Sequence, residues 1–479
     1  MKTKCLFALL SVALLLTCCS SPSPSAPEEP KLEKIELLSG PDITSYFVGD
    51  LFDPTGVSIT ATYSDEKSEV VEYDTNKEAF TFSPSLSTPL RVEDTKVTLT
   101  YEKLTLDIAI SVEVEVIPTE VSFTINDIDS LCIHTELQES YAKCTDPDKF
   151  FQDNLSSENY FGKRSISAPK GIEVSYTINE NGHARGKYSV VTSEDSEFSS
   201  SYTHKGEKNH TTVQNLKINT EYYYYVKAEY GSSVFRSETK SFTTENTTIR
   251  NIAAEGVENV RDLGGYVTED GKTVKQEMIY RTAQFNYDHS SSSAIVSEPT
   301  EKGKEVLLNQ LKIKTEIDVR EKQKSNGDDE TAGITSSPLG SSVNYVNLPM
   351  KYGGSNVIAN EANKASFKSF LEYCADEDNY PIAFHCVRGT DRTGAMAYAI
   401  GALCGVSELD LMKDYLFSNF ANINSAYLES KAITGAAFYI EQIRNSEGDT
   451  LSEKTKNYLI SKTGVSLETL NSIISILVG

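Results

Sequence analysis

The chain has 479 residues, room for about three domains at ~150 residues each. It carries 45 Lys+Arg against 69 Asp+Glu, a formal net charge of -24, which argues against a duplex nucleic-acid binder because such proteins show a basic footprint. With 39% hydrophobic and 24% charged residues the composition is globular rather than disordered, and 26 Tyr without any Trp suits β-rich modules.

Met1-Lys2-Thr3-Lys4 is a short basic start, and Cys5 to Leu16 is almost wholly apolar. That run is too short to span a bilayer but fits a signal-peptide core. Thr17-Cys18-Cys19-Ser20 follows, then Pro22, Pro24, Pro27 and Pro30 among Ser and Glu. The stretch resembles a bacterial lipoprotein signal. The resemblance implies a signal over 1–19, lipidation at Cys18 or Cys19, a Pro/Ser tether over 20–30, and an exported, lipid-anchored protein of the bacterial cell envelope. An ordinary cleaved signal is the alternative. Five cysteines are internal: Cys132, Cys144, Cys374, Cys386 and Cys404. They are too few and too scattered for a disulfide framework, although export allows Cys132 and Cys144 to pair. Cys132, His134 and Cys144 lack a fourth ligand at a known spacing, so no metal and no other cofactor is expected.

Residues 31–117 read as short strands punctuated by Pro, Gly and Asp at sandwich spacing. Residues 57–63, 96–101 and 106–112 alternate in polarity. The string from Tyr46 to Asp65, with Gly49, Phe52, Asp53 and Gly56, resembles the bacterial Ig-like repeats of surface proteins. Residues 118–246 form a second β-rich unit, with 138–170 as an inserted loop. Leu216-Lys-Ile-Asn-Thr-Glu-Tyr-Tyr-Tyr-Tyr-Val226 resembles a fibronectin type III stretch, with Ile218 where Pro is usual. The resemblance makes Tyr222 a corner tyrosine whose hydroxyl ties to nearby backbone. Neither module carries a catalytic constellation, so both read as spacers or as binders of a surface or envelope ligand.

Pro381-Ile-Ala-Phe-His-Cys386 is an apolar run ending in a polar pair, the pattern of a buried strand. A tight loop through Arg392 follows, then an Ala-rich helix over 395–404. Strand, loop and helix N-terminus in that order suit transfer of a phosphoryl group to sulfur. Cys386 sits where a helix N-terminus and backbone N–H groups favour a thiolate. The amides of Val387, Arg388, Gly389 and Thr390 can wrap an anion, with Gly389 supplying the turn. Arg392 offers a planar fork for two oxygens. Thr393 is placed to hydrogen-bond the sulfur, and His385 to brace the loop.

The string His-Cys-x5-Arg-Thr-Gly resembles the signature of the cysteine-dependent tyrosine phosphatases. The form here, His-Cys-x-x-Gly-x-Asp-Arg-Thr-Gly, is similar to a bacterial subfamily of tyrosine and phosphoinositide phosphatases, and the likeness covers most of 247–479. Asn259-Val-Arg-Asp-Leu-Gly-Gly265, Ile279-Tyr-Arg-Thr-Ala283, Thr315-Glu-Ile-Asp-Val-Arg320 and Asp414-Tyr-Leu-Phe-Ser-Asn419 carry it further. The fold implied is an α/β domain, a central sheet with flanking helices, behind two all-β sandwich modules. The activity implied is hydrolysis of phosphomonoesters, phosphotyrosine first, through a phosphocysteine. Inositol phosphates or phosphoinositides are the rival substrate. A surface-binding protein with an inactive phosphatase domain is a further alternative. Arg320 and Asp262 are candidate substrate contacts, with turn-capping and structural pairing as the competing roles.

Two departures from the family bear on substrate. Thr390 stands where the family has Lys, a residue associated with inositol-lipid head groups, while Arg388 brings a cation two positions earlier. Pro349-Met-Lys-Tyr-Gly-Gly354 stands where many relatives offer an acidic loop. Asp391 is therefore the leading general acid, although its neighbour Arg392 works against the raised pKa an acid needs. Cys374 or Cys404 is a candidate for a protective disulfide with Cys386, and core packing is the plainer role. Helices are expected over 301–311, 363–375, 423–444, 451–461 and 465–477, a strand over 315–320, and a loop near the site over 321–342. Residues 247–479 hold 23 basic and 31 acidic residues, against 22 and 38 in 1–246, so most of the negative charge lies outside the phosphatase-like region.

Overall fold

Alternating apolar residues build the first of two compact units, which divide after Val116 in a computed structural model of the chain. The structure describes residues 30–154, 168–287, 296–322, 329–351, 356–421 and 436–479. The expected signal and nearly all of the tether, with Cys18 and Cys19, lie outside the described residues. In the first unit, Leu32–Ser39, Ser58–Tyr63 and Ser68–Glu72 form one antiparallel sheet, and Phe80–Ser83, Lys96–Tyr101 and Leu104–Ala109 form another. Ile59, Ala61, Val97 and Leu99 point inward at period two against Phe52 and Phe80. The strand expected over 106–112 is split, because the chain leaves one sheet at Ala109 and pairs Ser111–Glu113 with Ser45–Phe47 in another.

The second unit begins at Ile117 and holds both the second β module and the α/β region. The four-tyrosine strand Glu221–Tyr230 is central to a five-stranded sheet. Tyr222 and Tyr224 are buried, and the Lys217 amide donates to the Tyr222 hydroxyl at 3.0 Å. The expected inserted loop is instead largely helical where it is described. Helix α1 (Glu136–Lys143) starts at a capping box between Thr135 and Gln138, and α2 (Pro147–Asn154) follows. The loop reading missed these helices because neither spans much more than two turns.

The α/β region is built on five strands: β1 (Arg261–Asp262), β2 (Ile279–Thr282), β3 (Thr315–Asp318), β4 (Asn344–Asn347) and β5 (Ile382–His385). Their order is β1-β2-β5-β3-β4, with β2, β5, β3 and β4 parallel. The apolar run thus becomes the middle strand, buried on both faces as continuous hydrophobicity requires. Thr282, His385, Asp318 and Asn347 stand in register, so four strands deliver their C-terminal loops to one edge. Helix α3 (Asp391–Leu403) leaves that edge almost wholly buried, and α4 (Glu408–Leu416) runs into a 3-10 turn, Phe417–Phe420. Further helices are Lys364–Cys374, Leu451–Thr463 and Leu467–Leu477. The helix expected over 301–311 is α-helical over Glu301–Glu305 and then widens to a π-turn. Of the one expected over 423–444, only Ala436–Arg444 lies among the described residues. No helix among the described residues is long and apolar enough to cross a membrane.

Candidate active site

The loop from Cys386 to Arg392 joins β5 to α3. Its successive carbonyls are tied outward. Val387 O accepts from the Gln284 amide at 3.1 Å, Arg388 O from Asn259 Nδ2 at 3.1 Å, Gly389 O from Arg281 at 2.7 Å, and Thr390 O from the Gly394 amide at 2.8 Å. The amides of 387–390 donate to nothing among the described residues. A run of free N–H groups at a helix N-terminus makes an anion-binding concavity. Gly389 adopts φ 70°, and a Cβ there would lie 2.3 Å from Thr282 O, so only glycine fits.

Arg392 reaches across the loop's mouth. Its terminal nitrogens fork onto the Glu330 carboxylate at 2.7 and 3.2 Å, and one also donates to Met350 O at 3.1 Å. Nε is buried and, among the described residues, without a partner. Burial opposes the guanidinium's charge, but Cys386 and Glu330 outweigh it and raise its pKa. Glu330 is the functional residue that the sequence reading missed. It lies in the expected loop 321–342, of which 323–328 are outside the described residues. The available signal was the acidic run Asp328-Asp329-Glu330.

The other expected site residues sort by their surroundings. His385 is buried; its Nε2 lies 3.0 Å from Glu316 Oε1 and its Nδ1 3.2 Å from Cys386 O, which is a brace. Thr393 Oγ1 accepts from the Cys386 amide at 2.8 Å, so its hydroxyl fixes the Cys386 backbone. Asp391 opens α3 half-buried, with Oδ2 accepting from Thr390 Oγ1 at 3.1 Å. Arg388 is half-buried, and its guanidinium has no partner among the described residues.

Arg320 and Asp262 depart from the expectation of substrate contact. Arg320 is fully buried, bonded to Asp318, Gln284, Asn286 and the carbonyl of Glu330. Burial would raise Asp318, but His385 and Arg320 hold it below the usual carboxylate range. Asp262 is fully buried too, accepting from Arg250 at 2.8 Å and from the Gly264 and Glu277 amides. Side chains with no exposed surface and with these partners brace the walls instead. Among the described residues all five internal cysteines are free. Cys374 and Cys404 are core thiols, the latter pushed up to about 12 by burial. Ligand-type atoms do converge at Cys132, Glu139 and Glu245, not at Cys144, but nothing there points to an ion.

Residues 252–477 match the tyrosine phosphatase family, a stretch that contains the whole strand, loop and helix around Cys386 and supports a cysteine-dependent phosphatase domain. No curated protein matches the chain. Among solved structures, TpbA of P. aeruginosa aligns at 20% identity over 38% of this chain and 88% of its own, with a TM-score of 0.23. The core catalytic domain of the PP-IP phosphatase SIW14 from S. cerevisiae aligns at 17% identity over 36% of this chain and 88% of its own, with a TM-score of 0.21.

Proposed function

We propose that the chain is a phosphatase that hydrolyses phosphomonoesters, phosphotyrosine foremost, through a phosphocysteine intermediate. The observation that carries this reading is the buried Arg392 Nε, unpartnered among the described residues, beside Cys386 in a loop whose carbonyls at 387–390 turn away. A donor set of that kind in a low-dielectric pocket favours the charge of a transferring phosphoryl group. The Cys386 sulfur attacks phosphorus, and the ester oxygen leaves with a proton from Asp391. Water then attacks the phosphocysteine, passing a proton to the Asp391 carboxylate as the S–P bond breaks, which releases phosphate and the thiolate.

Asp391 opens α3 half-buried beside Arg392, within the loop that holds Cys386. With no acidic residue in 349–354 and Asp391 as the candidate acid, the site suits an aryl leaving group, which departs with little protonation, better than an alkyl one. Thr390 in the lysine position argues the same way. One observation favours the inositol phosphate reading: the unpartnered Arg388 guanidinium, a spare cation at the loop. The sequence of residues 1–30 supports placement at a bacterial cell envelope through a lipid on Cys18 or Cys19, with 31–117 and 118–246 as sandwich modules. Assay of the full chain on phosphotyrosine peptides and inositol phosphates tests the reading. Aryl phosphate turnover should fall at least about a thousandfold in Cys386→Ser. Turnover of that variant at the wild-type rate would sink the proposal, and preference for inositol phosphates would replace phosphotyrosine as substrate.

A further inference from the structure

We propose that the helical arm of the second β module, residues 131–154, is a positioning element for the phosphate loop, acting through Lys413 and Asp414. The functional side of this proposal rests on the phosphatase reading; the geometry does not. Two loop carbonyls, Arg388 O and Gly389 O, are held by Asn259 and Arg281. Both holders depend on α4 and the turn after it. Arg281 pairs with Asp414, and Asn259 donates to Ser418 Oγ at 3.3 Å and accepts from Arg261. Arg261 in turn bonds the Asp414 carboxylate and carbonyl, each at 2.9 Å. Asp414 is therefore the point on which the outer side of the loop converges.

The arm grips the chain one residue before it. Tyr141 Oη donates to Lys413 O at 2.8 Å, and Lys413 Nζ donates back to Ala142 O at 2.7 Å, both bonds buried. A reciprocal pair across two helices fixes the rotation of α4, and with it the direction of the Asp414 side chain. Phe151 and Tyr141 pack on Phe420 with ring centroids at 5.3 and 5.6 Å, and Tyr141 lies 6.0 Å from Phe417. The Arg261 guanidinium sits over that same Phe417 ring. His134 completes the grip, its Nε2 2.7 Å from Ile249 O. Ring packing on one face and paired buried hydrogen bonds on the other leave α4 little freedom to shift. Nothing in the loop signature itself demands this arm, since it comes from a different module some 240 residues upstream in sequence.

The test is hydrogen–deuterium exchange on the full chain, read at the Gln284, Cys386 and Gly394 amides, which are bonded within or onto the loop. Tyr141→Ala should speed their exchange at least tenfold and weaken vanadate inhibition at least tenfold. Tyr141→Phe, which keeps the ring, and Lys413→Met, which keeps the stem, should give smaller changes of the same kind. These two milder variants decide the question if Tyr141→Ala does not fold. Lys413→Arg should restore exchange toward wild type. Val226→Ala, in the module's core away from the arm, serves as the control for general destabilisation. Unchanged exchange in the arm variants, or an equal rise in Val226→Ala at a matched loss of melting temperature, overturns the proposal. A wild-type chain without phosphatase turnover overturns the functional reading instead, and the exchange data still decide the arm.

Discussion

The phosphate loop is held on two sides by networks of different construction. On the outer side, Arg261 and Arg281 share one carboxylate, Asp414, and all three are buried. On the inner side, Arg392 forks onto Glu330, carried by a turn whose carbonyl is pinned by Arg320. The outer network is buried charge stacked on buried charge. Burial and the neighbouring Arg281 cation push Arg261 down to about 10 against the pull of Asp414. Burial would raise Asp414, but the two arginines hold it below the usual carboxylate range. Both networks are buried, but two guanidinium groups depend on the one Asp414 carboxylate, whereas Arg392 keeps the Met350 carbonyl as an acceptor when Glu330 is neutralised, so the inner pair governs aim more than folding. The outer side should therefore fail as stability and the inner side as rate.

The strongest way to break that comparison is Asp414→Asn. It strands two buried guanidinium groups, and loss of about 3–5 kcal/mol is expected. Urea denaturation of the full chain should show the midpoint collapse. A variant that keeps wild-type stability would mean the outer side is not a stability element.

His134 offers a graded version of the same test. Burial lowers it to about 4, so it is neutral in the folded chain at pH 7. Its folded value lies below the unfolded one near 6.5, so the stability it contributes is complete above pH 6.5. That stability is lost as pH falls through the folded value, by about 3 kcal/mol in full. His204 is lowered to about 4 as well and acts with the same sign. Stability measured in urea from pH 7 to pH 4.5 should therefore fall less steeply in His134→Gln than in wild type. Parallel curves would remove His134 from the account.

The inner side was the harder one to read from sequence. Cys386, Arg392 and Gly389 were legible because strand, loop and helix are contiguous and each residue type has a local physical reason to be there. The sheet's middle strand was legible for the same cause, a short apolar run buried on both faces. Glu330 was not, because it reaches Arg392 from 62 residues away and no local pattern marks which acid of the run Asp328-Asp329-Glu330 would do so. The arm was not legible either. Its helices are short, and their apolar residues, Tyr141 and Phe151, find partners only in the tertiary fold. Arg320 and Asp262 were legible as important charges but not as buried ones, since sequence shows the charge and not the neighbours that consume it.

Glu330→Gln sharpens the inner side. The amide keeps the shape but loses the charge-assisted fork, so the Arg392 guanidinium is held less firmly, by the Met350 carbonyl and one neutral acceptor. Turnover should fall roughly tenfold to a hundredfold, because misplacing a positioning group by about an ångström costs that much. The melting temperature should move little. Steady-state kinetics beside a thermal melt separates the two; a large stability loss with unchanged kcat would reverse the assignment.

The smallest expected effect lies at the exposed rim of the contact between module and catalytic region. Lys205 meets Glu305 at 3.4 Å, with side-chain exposures of 82% and 45%. An exposed pair of long side chains gains little over its hydrated alternatives, so Lys205→Ala should cost no more than about 0.5 kcal/mol. Turnover should not change, and the small stability difference should vanish at high salt. This variant matters because it bridges the same two regions as Tyr141 and His134. If it destabilised the chain as much as the buried contacts, surface charge would hold the module in place and the arm would lose its special status. A near-silent Lys205→Ala beside a damaging Tyr141→Ala assigns the coupling to the buried face, where desolvated hydrogen bonds and ring packing leave no room for water to substitute.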